Sequence, residues 1–199
     1  MTATFHFVRH AMHGLVGRIL VGRSNDVPLS PEGYNQTQHL AAWFRDKAVS
    51  RVYSSPRERA RATAQAIATD LALEPEITPA LDEIDVGAWS GQSFDALEHD
   101  PEWRRWCKAR RSARAPAGES MIGVQLRAVS YLEQIRATRP TDAVILVSHL
   151  DVIRAALLHY LGLSLNHYDR LEIAPAGIST LVVAEWGAKL VTLNESALA

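Results

Sequence analysis

The sequence predicts an α/β fold, a three-layer αβα sandwich with a mostly parallel central sheet and a small inserted lid. Three observations carry that reading. Short runs of aromatic and β-branched residues alternate with longer stretches of helical periodicity along most of the chain. The run Ala143-Val144-Ile145-Leu146-Val147 is continuously apolar, as strands covered on both faces of a parallel sheet are. Strand candidates also end in residues that carry chemistry, Arg9-His10 and Ser148-His149 above all. In an open α/β sheet, ligands gather at the carboxyl ends of the strands.

The first strand begins at Phe5 and runs through Val8, a stretch whose residue types suit a buried strand. It stops at Arg9-His10, which sets a fixed cation beside an imidazole able to act as nucleophile, base or ligand. Residues 11–29 form a loop containing Gly14, Gly17, Arg18, Gly22 and Arg23. The loop matches neither the Walker nor the dinucleotide glycine pattern, which argues against nucleotide binding of either kind. Ser30-Pro31 reads as a helix cap with proline at the first helical position, and Thr37, Leu40, Ala41 and Phe44 share one face behind it. Arg51–Ser54 is a short strand, and residues 57–72 a helix with Ala60, Ala64, Ile67, Ala68 and Leu71 turned inward. Arg57, Arg59 and Arg61 lie near its start, where the helix dipole disfavours cations. They mark either an anion site or a solvated face.

Residues 76–83 look extended, and Val86–Gly91 is rich in turn formers. From about residue 92 to 118 the composition shifts: acidic residues come first, then Trp103 and Trp106 amid Arg104, Arg105, Lys108, Arg110, Arg111 and Arg114. This stretch is either an inserted lid or a solvated helix with two tryptophans tucked against the core. Ser120 caps the next helix, where Ile122, Leu126, Val129 and Leu132 recur at near-helical spacing until Pro140 ends it. After the strand at 143–147, a helix buries Val152, Ile153, Ala156, Leu157, Tyr160 and Leu161 and closes at Gly162. Residues 169–174, 178–185 and 189–194 read as three antiparallel strands. No repeat or low-complexity linker divides the chain, so residues 1–199 form a single domain.

Composition narrows the functional classes. With 47% hydrophobic residues the chain has ample material for a packed core. A formal net charge of -1 gives no support to a nucleic-acid or membrane surface. The single cysteine, Cys107, excludes an internal disulfide and suits a reducing compartment. Neither a signal peptide nor a bilayer-spanning apolar run is visible. A cytoplasmic protein is expected.

The strand ends offer Arg9-His10, the segment from Ser55 to Arg61, Glu83 and His149. Converging at one sheet edge, two histidines, arginines and a carboxylate suit phosphoryl transfer without a metal or other cofactor. That chemistry needs cationic donors around the equatorial oxygens, an in-line nucleophile and an acid for the leaving oxygen. Arginine supplies bidentate donors to phosphate, and a neutral imidazole supplies the nucleophile.

These residues resemble the motifs of the histidine phosphatase superfamily, which contains cofactor-dependent phosphoglycerate mutases and acid phosphatases. Arg9-His10-Ala11 fills the place of its R-H-G motif. Residues 55–64 match S-x-x-x-R-A-x-x-T-A, which points to Arg59 rather than Arg57 or Arg61 as the second arginine. Leu81, Glu83, Gly87, Trp89 and Gly91 match the segment carrying the proton donor. Val147-Ser148-His149 followed by Val152-Ile153-Arg154-Ala155 matches the segment carrying the second histidine. Leu29–Gly33 and Gly118–Ser120 match as well. The resemblance implies that His10 forms a phosphohistidine and that Arg9, Arg59 and His149 bind the phosphoryl oxygens. It makes Glu83 the proton donor. The implied activity is hydrolysis of a small phosphate monoester, with phosphomutase the alternative, and the short chain favours the phosphatase.

The chain departs from the motifs at Ala11, Met12, His13, Val16 and Leu150-Asp151, which alter the rim of the pocket and bear on substrate choice. His13 reads as a pocket residue, and His6 as a histidine satisfied within the sheet. Asp151 either orients a neighbour or sits in the first helical turn because the dipole favours it there. Two other classes fit fewer observations. The spacings His10-x-x-His13 and His149-x-Asp151 are compatible with a metal-dependent hydrolase. A non-catalytic phosphate-binding module would need no proton donor, so Glu83 argues against it.

Overall fold

The structure is a computed structural model and describes residues 1–197. Its strands are β1 (Thr2–Arg9), β2 (Arg51–Ser54), β3 (Pro75–Ile77), β4 (Ala143–Ser148), β5 (Ile178–Ala184) and β6 (Gly187–Glu195). Its helices are α1 (Pro31–Phe44), α2 (Glu58–Asp70), α3 (Phe94–Leu97), α4 (Pro101–Lys108), α5 (Met121–Thr138) and α6 (Leu150–Tyr160). The strands form one sheet in the order β3-β2-β4-β1-β5-β6. The first four run parallel, whereas β5 is antiparallel to β1 and β6 to β5.

Side-chain alternation explains both the apolar strands and the three layers. Along β4, Val144 and Leu146 enter one core while Ile145 and Val147 enter the other, so the strand is buried from Val144 to Ser148. β1 divides in the same way, with Phe5 and Phe7 on one face and Val8 on the other. The face that holds Val8 and Ile145 is covered by Leu40 and Phe44 of α1 and by Ala60, Ala64 and Ile67 of α2. α5 and α6 cover the opposite face. Ser30 caps α1 by accepting from the Gly33 N–H, and Ser120 caps α5 by accepting from the Gly123 N–H.

Four local expectations change. Residues 169–174 do not pair as a strand: Leu165–Arg170 is a 3₁₀ stretch, and the segment after it runs irregularly beneath the site. Arginine side chains take its carbonyls in place of a neighbouring strand, Arg154 Nε donating to Leu171 O at 2.6 Å and Arg9 Nη1 to Ile173 O at 2.7 Å. Between residues 76 and 83 the extended chain ends at Ile77, because Pro79 opens a 3₁₀ turn capped by Thr78. The inward face of α5 is Met121, Val124, Ala128, Leu132 and Ile135, while Ile122 and Leu126 are exposed. The last strand, expected over 189–194, opens two residues earlier, at Gly187.

The stretch from about 92 to 118 folds back over the carboxyl edge of the sheet through α3 and α4. Its tryptophans are buried: Trp103 and Trp106 stack with centroids 5.3 Å apart, and Trp89 meets both edge-on at 5.3 and 5.6 Å. The Trp89 indole donates to Asp100 Oδ2 at 2.9 Å, and Asp100 also caps α4. Basic residues of this stretch face solvent, apart from the buried Arg110.

Candidate active site

Because β1, β2 and β4 are parallel and in register, their last residues lie together. Arg9 pairs with Ser148, and Ser54 with Val147. The next residues, His10, Ser55 and His149, therefore meet at one point on the sheet edge. The rings of His10 and His149 lie 5.2 Å apart and both are almost fully buried. Arg59, the second residue of α2, reaches the same point, and Glu83 enters from the loop after the Pro79–Leu81 turn. Glu83 Oε2 lies 3.5 Å from His149 Nδ1 and 4.0 Å from Arg59 Nη2. Arg9, His10, Arg59 and Glu83 line a cavity of about 160 Å³.

The hydrogen bonds assign the protons. His10 Nδ1 lies 2.9 Å from the Ala11 carbonyl, which can only accept. The proton of the neutral ring therefore sits on Nδ1, and the Nε2 lone pair is free. Ala11 fills the motif's glycine position without strain, since it is fully buried and keeps a negative φ. His149 Nε2 is 2.7 Å from Ser55 Oγ, and Ser55 Oγ is 3.5 Å from Asp82 Oδ1. Arg59 Nη2, which has only donors to offer, lies 3.3 Å from His149 Nδ1. Nδ1 thus accepts, and Nε2–H donates to Ser55.

Electrostatics separate the titrating groups. Burial, reinforced by the positive charges of Arg59 and Arg9, holds the His10 imidazole well below its usual pKa, so the ring is neutral. His149 is held down by burial, then Arg59 and His10. Glu83 moves the other way: burial first, then the Asp151 carboxylate, push it up to about 7, against the opposing pull of Arg59. A protonated carboxylic acid therefore coexists near neutral pH with an unprotonated imidazole.

The two arginines remain the site's fixed positive charges. Arg59 is only 1% exposed, and backbone carbonyls hold it: Nη2 donates to Gly22 O at 2.8 Å and Nη1 to Ser24 O at 3.2 Å. Arg9 is held by Ile173 O. Carbonyl dipoles position these guanidiniums without neutralising them, and the buried Nε of each lacks a partner. Their neighbours in sequence behave differently. Arg57 is committed to Asp82 through a bidentate pair at 2.7 and 2.9 Å, and Arg61 points to solvent.

Several structural supports were not visible in the sequence. Ser55 and Asp82 orient His149, and Asp82 also accepts from the Glu83 N–H at 2.8 Å. Arg127 and Arg23 grip the carbonyl of Glu83, with Arg23 Nε at 2.8 Å. Gly87 adopts φ of 53°, and a Cβ there would lie 2.0 Å from Pro116 O, so only glycine lets the acid loop pack here. The serine of the second motif was quoted as a match, but its contact with His149 required the fold to be known. Of the rim residues, His13 stacks 5.2 Å from His10 and, with Val16 and Asp151, lines the cavity. His6 lies elsewhere in the sheet, bonded to Thr180 Oγ1 at 3.1 Å.

Comparison with known proteins agrees with this architecture. The family model "Histidine phosphatase superfamily (branch 1)" matches residues 5–196. Phosphoserine phosphatase 1 of Hydrogenobacter thermophilus is 31% identical over 171 residues, covering 85% of this chain and 81% of its own. A probable phosphoglycerate mutase of Escherichia fergusonii is 28% identical over 180 residues, covering 87% and 82%. Among solved structures, a phosphoserine phosphatase of Entamoeba histolytica, in complex with phosphoserine, superposes with a TM-score of 0.89 at 23% identity. That alignment covers 99% of this chain and 100% of the other. YhfR of Bacillus stearothermophilus gives 0.91 at 21% identity with the same coverage. With a parallel sheet edge that gathers two histidines, two arginines and a carboxylate, and a family match over nearly its whole length, this chain belongs to the histidine phosphatase superfamily.

Proposed function

We propose that this protein hydrolyses small phosphate monoesters through a phosphohistidine on His10. The observation that carries the reading is the pairing of a neutral His10, its Nδ1–H bound to the Ala11 carbonyl, with a Glu83 carboxyl whose pKa is about 7. His10 Nε2 attacks phosphorus as the ester P–O bond breaks, and Glu83 gives its proton to the departing oxygen. Arg9 and Arg59 stabilise the charge on the equatorial oxygens. His149 joins them: a dianionic phosphoryl group reverses the field that keeps this imidazole neutral, and once protonated its Nδ1–H donates. Glu83, now a carboxylate, then takes a proton from water as that water attacks the N–P bond. Inorganic phosphate leaves and His10 is restored.

Residues from about 92 to 118 act in this reading as a lid. Trp103 and Trp106 close the cavity and limit the water that reaches the phosphohistidine. The relatives include both phosphatases and a probable mutase. Hydrolysis is preferred here because Glu83 sits where it can activate water after the leaving group has gone. The site needs no cofactor in this mechanism. Among the described residues, no group of three or more His, Cys, Asp or Glu side chains could hold a metal ion, and no helix is long and apolar enough to cross a membrane. The single thiol accords with a cytoplasmic setting.

Quenching in alkaline denaturant during turnover of an ester carrying a radiolabelled phosphoryl group tests the mechanism. Label that is lost in acid, survives alkali and maps to His10 is expected. Label on a serine, or none under conditions that trap a phosphohistidine added as a control, rejects it.

The three arginines of α2 give a second test. Arg59→Ala is expected to lower kcat/KM by about 10²–10³-fold, as removal of one preorganised donor does. Arg61→Ala is expected to stay within about twofold, because Arg61 faces solvent. Arg57→Ala frees Asp82 and is expected to act on stability first, read as a lower unfolding midpoint. Equal losses of activity for Arg59 and Arg61 variants would show that Arg59 does not clamp the phosphate.

A further inference from the structure

Beyond the histidines the cavity reaches a second polar pair that makes no contact with the phosphoryl group in the proposed mechanism. Asp151, in the first turn of α6, and Arg110, two residues past α4, both line it. Arg110 Nη1 lies 3.7 Å from Asp151 Oδ1, close enough for an ion pair and too far for a hydrogen bond. Their relative exposures are 7% and 9%. Even so, Asp151 Oδ1, Arg110 Nε and Arg110 Nη1 have no hydrogen-bond partner. Buried polar atoms are nearly always satisfied, and three orphans on two facing charges call for groups that a ligand would bring.

Arg110 is also fixed in orientation. Its guanidinium carbon lies 3.3 Å from the Trp106 ring centroid and 4.1 Å from that of Tyr168. Stacking on both faces leaves only the edge of the guanidinium for hydrogen bonding. Both residues share the wall of this cavity with Glu83, the proton donor of the proposed mechanism. Most of the remaining wall is apolar, including Phe94, Leu20 and Ile84.

Building on the phosphatase reading, we infer that Asp151 and Arg110 select the leaving group, and that the substrates are phosphate esters of small hydroxy-amino acids. Asp151 takes the ammonium and Arg110 the carboxylate. A leaving group with an amine alone would set a cation beside Arg110, and one with a carboxylate alone would set an anion beside Asp151. Neutral hydroxyls would make weaker hydrogen bonds than charged groups do. An ammonium and a carboxylate on one carbon offer both orphaned charges an opposite partner at once. The cavity of about 160 Å³ confines the choice to a small ester.

The test compares kcat/KM for four esters of primary alcohols: O-phosphoserine, O-phosphoethanolamine, 3-phosphoglycerate and glycerol 3-phosphate. Their leaving oxygens are alike, so proton donation by Glu83 affects all four similarly and cancels in the ratios. O-Phosphoserine is expected to exceed each of the others by about tenfold or more, the scale of a charged hydrogen bond. Asp151→Asn should cut the phosphoserine-to-phosphoglycerate ratio by about tenfold, and Arg110→Gln the phosphoserine-to-phosphoethanolamine ratio by a similar factor. Arg110→Lys should recover part of the latter. Ratios measured within one variant do not depend on how much of it is folded. Wild-type ratios near one, a preference for glycerol 3-phosphate, or variants that slow all four esters equally would overturn the inference; in the last case the pair only latches the lid. If the wild type hydrolyses none of these esters nor p-nitrophenyl phosphate, the phosphatase reading itself fails and this inference falls with it.

Discussion

His10→Ala is expected to lower kcat/KM by about 10⁵-fold or more with every phosphate ester, on the scale seen when a covalent nucleophile is removed. The reason is positional. Of the two histidines at the phosphoryl site, only His10 has a ring nitrogen free of protein hydrogen bonds, since its Nδ1 is tied to the Ala11 carbonyl and its Nε2 is open, whereas both nitrogens of His149 are engaged. His13 stacks against it but its Nδ1 accepts from the Leu15 N–H at 3.2 Å, so it is poorly placed to substitute. The measurement is steady-state turnover of an aryl phosphate together with phosphoenzyme trapping. Since His10 is buried, circular dichroism and a melting curve must show a folded variant, and His10→Asn serves as a second replacement of smaller volume change. Turnover by either folded variant within tenfold of wild type would exclude His10 as the nucleophile.

Glu83→Gln is expected to lower kcat/KM for alkyl phosphates by about 10²–10⁴-fold and for activated aryl phosphates far less. The substitution keeps size and much of the hydrogen bonding but cannot deliver a proton. Alkoxides are strongly basic and need that proton as they leave, whereas a nitrophenolate does not. Because kcat/KM reports steps only through departure of the leaving group, later use of Glu83 in dephosphorylation does not enter. The pH dependence follows from the same carboxyl. An acid must be protonated to act, and the pKa of about 7 in the free protein means activity on alkyl esters is full below that pH. It should fall tenfold per unit above it. His10, held neutral by burial and by Arg59, adds no opposing limb near neutrality. The second phosphate ionisation lies lower in aryl than in alkyl esters, so each profile is first corrected for its own substrate's titration and the quotient is then taken. The quotient should descend with a midpoint near 7 in the wild type and be flat in Glu83→Gln. A descending quotient in the variant would assign the proton to another group. Asp82 is occupied by Arg57 and Ser55, and Asp85 binds the Gly87 N–H, so neither is free to replace it.

Much of the architecture was legible in the residues because local rules and the global fold agree. Ser30-Pro31 and Ser120 announce helix starts through capping chemistry that the structure contains unchanged. The unbroken apolar run at 143–147 can be satisfied only by a strand with both faces covered, and it is the central strand β4. Expectations failed where backbone partners come from distant side chains. Residues 169–174 have strand-like composition, but Arg154 and Arg9 claim the carbonyls at Leu171 and Ile173. On α5, Leu132 is buried as its spacing predicts, whereas Ile122 and Leu126 face solvent because Met121, Val124 and Ala128 form the inward face.

What the sequence determined by itself is the set of chemical groups and the elements that carry them. Strand ends at Arg9-His10 and at Ser148-His149, an arginine at the start of α2, and a glutamate ahead of a tight glycine turn are one-dimensional facts tied to local structure. The motif spacing could single out Arg59 from Arg57 and Arg61, yet it could not say why. Tertiary structure decided that, because only packing shows Arg59 held by the carbonyls of Gly22 and Ser24 while Arg57 is neutralised by Asp82. It also decided the protonation states. Whether an imidazole is neutral or a carboxyl protonated at pH 7 depends on burial and on charges from remote parts of the chain. Glu83 owes its raised pKa to its buried position and to Asp151, 68 residues further along. The unpartnered edge of Arg110 facing Asp151 is likewise a property of two segments brought together, and neither segment carries any sign of it alone.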